Sequence, residues 1–131
     1  MPAKLSIMHL HLRYRLWIAE MNADITILRI FNDYLVELES KKKGLEAEVI
    51  KGIDHFKKLF IHLRKEIDQL SHEMHLTKMK LAAAARENKP PDNKNFPRDN
   101  HTALQKKFTT FRKTFTKAKK EFGLFEGKWL D

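Results

Sequence analysis

One carboxylate and two histidines have a spacing that could hold a divalent metal ion. Asp68, His72 and His75 are separated by four and three residues, so they share one face of a helix at 100° per residue. Imidazole and carboxylate groups are ligands for divalent transition metals. These three residues also fall on the side of the helix that is predicted to face solvent, where polar residues are expected whether or not a metal binds. A surface metal binder is therefore an alternative function, and the sequence implies no cofactor.

Other catalytic chemistry has little to build on. The chain has no cysteine, which excludes thiol catalysis and thiolate metal sites. No glutamate has a histidine three residues later, as a di-iron helical bundle requires. The three serines and four glycines form neither a nucleophile elbow nor a phosphate-binding loop. These features predict a protein that is not an enzyme.

A basic segment near the C-terminus suggests a partner. The formal net charge is +9, and residues 101–120 contain no acid but seven basic residues: Lys106, Lys107, Arg112, Lys113, Lys117, Lys119 and Lys120. Such a face can bind a nucleic acid, an acidic protein or another polyanion. A helix with phenylalanines on one side also needs charge on the other for solubility, and its Phe/Lys pattern resembles helices that lie on anionic membranes. These interpretations stay open.

The elements that position these residues are three long helices. The middle one has apolar residues at alternating spacings of four and three for more than four heptads, which is the pattern of a coiled-coil-like bundle. Its seam comprises Val49, Ile53, Phe56, Phe60, Leu63, Ile67, Leu70, Met74, Thr77 and Leu81. The third helix repeats this spacing with Leu104, Phe108, Phe111, Phe115, Ala118, Phe122, Phe125 and Trp129.

Two breaks divide the chain. The segment 88–100 contains three prolines and no apolar period, which predicts a loop. Near Gly44, three lysines precede the glycine, which is typical of a helix C-terminus, although the heptad phase also allows one unbroken rod. We therefore predict a single domain over residues 1–131, with helices at about 5–42, 45–87 and 101–130. It is an all-α, antiparallel, up–down–up three-helix bundle of elongated shape.

The first helix has two apolar stripes. One comprises Tyr14, Ile18, Met21, Ile25, Leu28 and Leu35; the second comprises Leu10, Trp17, Ile27, Phe31, Tyr34 and Leu38. A helix that is apolar over so wide an arc is buried on more than one side. Either it packs between two partners in the monomer, or the second stripe serves self-association. We expect a homodimer through the second stripe.

Three segments resemble a known group of proteins. The stretches DHFKKLFIHLRKEIDQLSHEM (54–74), KEFGLFEGKWL (120–130) and RLWIAEMN around Trp17 resemble a group of small, uncharacterised bacterial helical coiled-coil proteins. The resemblance implies the same helical architecture. The group has no established activity, so it implies no functional residues.

Composition limits the remaining possibilities. Few glycines and prolines make a turn-rich fold improbable, no apolar run is long enough to cross a bilayer, and no secretory signal is evident. We expect a cytoplasmic, non-enzymatic interaction or scaffold module without integral membrane association.

Overall fold

The chain forms three long helices and no strand in the part that the structure describes, residues 3–41, 44–86 and 98–128 of a computed structural model. They are α1 (Ala3–Glu39), α2 (Ala47–Arg86) and α3 (Arg98–Gly127). With 37, 40 and 30 residues, they are about 55, 60 and 45 Å long at 1.5 Å per residue. None of the described helices is long and apolar enough to span a membrane.

The predicted bundle is confirmed, with shifted helix ends. α1 ends at Glu39 and α2 begins at Ala47, so the chain turns near Gly44 instead of continuing as one rod. Gly44 has a φ of 93°, a left-handed conformation that favours glycine. α3 begins at Arg98, three residues before the predicted start, so residues 98–100 belong to the helix and not to the predicted loop. The rest of the predicted loop, residues 88–97, and the predicted last seam residue, Trp129, lie outside the described residues.

The helices alternate in direction. At the turn, Glu39 of α1 forms an ion pair with Lys57 of α2, and further from the turn Phe31 packs against Phe60, so α1 and α2 form an antiparallel hairpin. α3 runs antiparallel to α2, since Lys107 lies near Glu73 while Phe125 contacts Phe56.

The core follows the heptad seams. All ten predicted seam positions of α2 are buried, including Thr77, whose hydroxyl donates a hydrogen bond to the Glu73 carbonyl at 3.0 Å. Leu104 through Phe122 of the α3 seam are buried as well. Phe122 lies at the centre of an aromatic cluster that includes Phe31, Tyr34, Phe56 and Phe60. α3 is therefore packed against both helices of the hairpin.

Candidate functional site

The seven basic residues of α3 between positions 101 and 120 divide into two groups. Three of them flank the seam on the sides that border a neighbouring helix: Lys107, Arg112 and Lys119. The other four lie in one row on the outermost side of the helix: Lys106, Lys113, Lys117 and Lys120. All four are exposed, and none has an ion-pair partner among the residues that the structure describes. We call them the outer lysine row.

The flanking residues tie the bundle together. Arg112 donates two hydrogen bonds of 2.7 Å to the carboxylate of Glu20 on α1, and its guanidinium lies 4.4 Å from the centre of the Phe108 ring. The hydrogen bond to Glu20 raises the pKa of Arg112. On the other flank, Lys107 lies 3.3 Å from Glu73 of α2. These contacts occupy two of the predicted anion-binding residues within the monomer.

A buried carboxyl lies beside the Arg112 flank. Asp24 on α1 is only 8% exposed. Burial and the neighbouring Glu20 raise its pKa to about 6, against an opposing attraction from Lys119 and Arg112. The ammonium of Lys119 also lies 5.5 Å from the centre of the Phe115 ring. Lys119 therefore compensates charge inside the bundle rather than extending the outer lysine row.

The heptad frame contained the signal that separates the two groups. When Phe108 and Phe115 are placed at heptad position a, Lys107 takes position g, and Arg112 and Lys119 take position e. Positions e and g border the seam and face neighbouring helices. The outer lysine row takes only c and f positions, which face solvent.

The second stripe of α1 is packed inside the monomer, which corrects its assignment to self-association. Trp17 is buried against Phe108, with ring centres 5.2 Å apart, and Phe31 stacks on Phe122 at 4.4 Å. Its other members, Leu10, Ile27, Tyr34 and Leu38, are half-buried against the core. The stripe faces α3 because a three-helix bundle requires α1 to contact two neighbours. Of the two predicted arrangements, the structure has the one in which α1 packs between two neighbouring helices of the monomer.

α1 has a third face, to which neither predicted apolar stripe belongs. It contains uncharged residues at spacings of four and three, all exposed: Leu12, Leu16, Ala19, Ala23, Thr26 and Ile30. We call it the outer face of α1. Leu12 borders Leu81 and Ala82 of α2 in one groove, and Leu12 and Leu16 border Arg112 of α3 in another, yet all six residues are exposed. The signal for this face is the same heptad spacing that reveals the seams, and it is hidden because α1 is apolar around most of its circumference.

A small polar cluster joins the first turns of α3 to α1. The buried hydroxyl of Tyr14 is hydrogen-bonded to Nδ1 of His101 at 3.1 Å, and the Trp17 ring lies parallel to the imidazole. Burial raises the pKa of Tyr14 to about 12. Burial, followed by the charge of Arg13, lowers the pKa of His101. Both groups are consequently neutral at neutral pH, and they form a hydrogen bond between the helices.

The proposed metal ligands do not form a site. Asp68 is paired with Arg64 at 3.1 Å, and His72 and His75 are exposed on the surface of α2. Within the described ranges, no three histidine or acidic side chains are grouped so that they could hold a metal ion. Asp68, His72 and His75 therefore share a helical face without forming such a group in the described part of the chain.

The chain matches no known protein family, no curated protein and no solved structure. The resemblance to small bacterial helical proteins stays a prediction. The fold and surface thus define a class, an all-α three-helix bundle, and the functional argument depends on the surface of this chain alone.

Proposed function

We propose that this protein is a non-enzymatic helical interaction module that self-associates through the outer face of α1. We also propose that it acts in the cytoplasm, which the absence of cysteine supports. The observation that carries self-association is the row of six exposed, uncharged residues on a helix that is already packed on two sides. Contiguous exposed apolar surface rimmed by polar residues is typical of protein interaction sites.

A pair of matched variants tests this proposal. Leu16 is 60% exposed on the outer face of α1, and Ile61 is 59% exposed on α2, where Lys57, Lys58 and Arg64 surround it in sequence. Leu16→Glu places a charge in the proposed interface, whereas Ile61→Glu changes an isolated apolar residue of equal exposure.

The measurement is mass by light scattering or sedimentation, from about 10 μM to about 1 mM. The wild type and Ile61→Glu should rise together from the 15.5 kDa of one chain toward twice that mass, while Leu16→Glu stays monomeric. A wild type that is monomeric throughout contradicts self-association. A Leu16→Glu variant that associates like the wild type contradicts the assigned face.

The outer lysine row supports a second function, binding to nucleic acid. Its four lysines extend over 15 residues of α3, about 21 Å, with no acid between positions 101 and 120. Lysines placed along phosphates release counterions, so the affinity falls steeply with salt. Threonines on the same helix, such as Thr109 and Thr116, can donate hydrogen bonds to phosphate oxygens.

Fluorescence anisotropy with duplex DNA tests this function. Lys113→Glu/Lys117→Glu/Lys120→Glu should abolish binding. A control, Lys51→Glu/Lys58→Glu/Lys65→Glu on α2, changes the charge equally but on a helix where acids are interspersed. For the wild type, the plot of log affinity against log salt should have a slope of about −3 to −4. Equal losses in both triple variants would indicate attraction by net charge alone and contradict a specific face.

A further inference from the structure

We propose that two copies of the chain pair through the outer face of α1 in a parallel, in-register arrangement. This inference rests on the proposed self-association. In the heptad frame of this face, position a is occupied by Leu16, Ala23 and Ile30, and position d is occupied by Leu12, Ala19 and Thr26. In a parallel pair each residue meets its own copy, so the large residues meet at both ends and the alanines meet in the middle. Small central side chains permit the two helices to approach closely.

Charges at the edges of this face distinguish parallel from antiparallel pairing. In a parallel pair a g residue faces the e residue five positions later on the other helix. Arg15 is at g and Glu20 is at e, so Arg15 faces the partner's Glu20, twice by symmetry. An antiparallel pair centred on residue 21 would instead oppose Arg15 with the partner's Arg29 and Glu20 with the partner's Glu20. Only the parallel pair has complementary charges.

Both members of this ion pair are accessible. Arg15 is exposed and has no ion-pair partner among the described residues. Glu20 accepts one hydrogen bond on each oxygen from Arg112, and its side chain is still 39% exposed. A carboxylate offers about four acceptor positions. Glu20 can therefore bind Arg112 within its own chain and Arg15 of the other copy simultaneously.

Engineered disulfides test the orientation directly, because the chain has no cysteine of its own. Thr26→Cys lies opposite its own copy in a parallel pair. In the antiparallel pair the two copies of position 26 are about 15 Å apart along the helix axis, beyond the reach of a disulfide, and position 26 instead meets position 16. Thr26→Cys alone, Leu16→Cys alone and a mixture of both are oxidised, and the products are identified by mass.

Four outcomes are possible, and they separate this inference from the proposed function. Disulfide-linked dimers of Thr26→Cys alone support the parallel pair. Cross-links formed only in the mixture overturn it and leave self-association in place. A wild type that dimerises while neither variant cross-links overturns the use of this face. A wild type that stays monomeric to about 1 mM overturns self-association and this inference with it.

Charge reversal gives an independent test with opposite expected signs. In the parallel pair, Arg15→Glu opposes the partner's Glu20 and should weaken dimerisation about tenfold. Arg29→Glu is the matched control, since Arg29 faces the partner's Tyr34 there, and its dimerisation constant should stay within about twofold. In the antiparallel pair, both substitutions replace a repulsive contact with an attractive one. Tighter dimers of Arg15→Glu would therefore refute the parallel arrangement.

Discussion

Asp24→Asn should stabilise the protein at neutral pH, and the gain should vanish in acid. Asp24 of α1 is only 8% exposed and is close enough to Lys119 and Arg112 of α3 to feel their charges, and its pKa is raised from 3.8 to about 6, mainly by burial. The folded state therefore binds the Asp24 proton more tightly than the unfolded state does. Stability from this group is complete below pH 4 and is lost as the pH rises through about 6. Asparagine has no such dependence.

The size of the effect follows from the pKa difference. One pKa unit corresponds to about 1.4 kcal/mol, so the shift of Asp24 is equivalent to about 3 kcal/mol over the whole pH range. Between pH 5 and pH 8, the same two pKa values of Asp24 give about 1.4 kcal/mol. Asp24→Asn should gain this amount relative to the wild type across that interval.

Urea denaturation at pH 5, 6, 7 and 8 measures the effect. Comparing variant with wild type at each pH cancels the titration of the seven histidines, which both proteins share. Asp33→Asn, at an exposed aspartate on the same helix, is the control for replacing a surface carboxyl. A stability difference between Asp24→Asn and the wild type that does not change with pH would refute the argument that burial raises the pKa of this carboxyl.

The docking of α3 and the packing of its C-terminal half give two further predictions. Phe122→Ala should destabilise the fold by about 3–5 kcal/mol in urea denaturation, because Phe122 is only 3% exposed. Leu124→Ala, at a position that is 65% exposed, should cost less than about 0.5 kcal/mol. Equal effects of the two substitutions would mean that α3 is not docked as described. Gly123→Ala should raise stability by about 1 kcal/mol, since the added methyl group meets open space. Gly52→Ala should instead lower the melting temperature, because its Cβ would overlap the Phe125 ring, and stabilisation by both changes would contradict the position of that ring.

The seams of α2 and α3 were predictable because their information is local. A 3.5-residue apolar repeat with charges elsewhere permits only one face to be buried, whichever helix covers it. Phe60 and Phe111 were therefore assigned correctly without knowledge of their neighbours. The turn at Gly44 was likewise indicated by a residue suited to positive φ.

The faces of α1 were harder, because its sequence is apolar around most of its circumference. Periodicity identifies apolar stripes but does not say which neighbour covers each one, and that depends on how the three helices are arranged. Trp17 and Phe31 were assigned to a dimer interface, yet α3 covers them. Leu16 received no role and is exposed. The pairing of Arg112 with Glu20 depends on the same arrangement, since 92 residues separate the two in sequence.

The exposed side chains also indicate how strong the proposed dimer is. The outer face of α1 has three large apolar residues per chain, Leu12, Leu16 and Ile30, each between 51% and 60% exposed. Full burial of such a side chain contributes about 1.5–3 kcal/mol. A dimer has six of these side chains, three from each chain, and covering the exposed half of each gives roughly 5–9 kcal/mol in total. Association itself costs at least about 4 kcal/mol in lost rigid-body freedom. The net value is at most about 1–5 kcal/mol, and its upper end corresponds to a dissociation constant of about 0.2 mM. We therefore expect a dimer that exchanges with monomer, whose population depends on local concentration, and a dissociation constant below about 1 μM would mean that more than this face is buried.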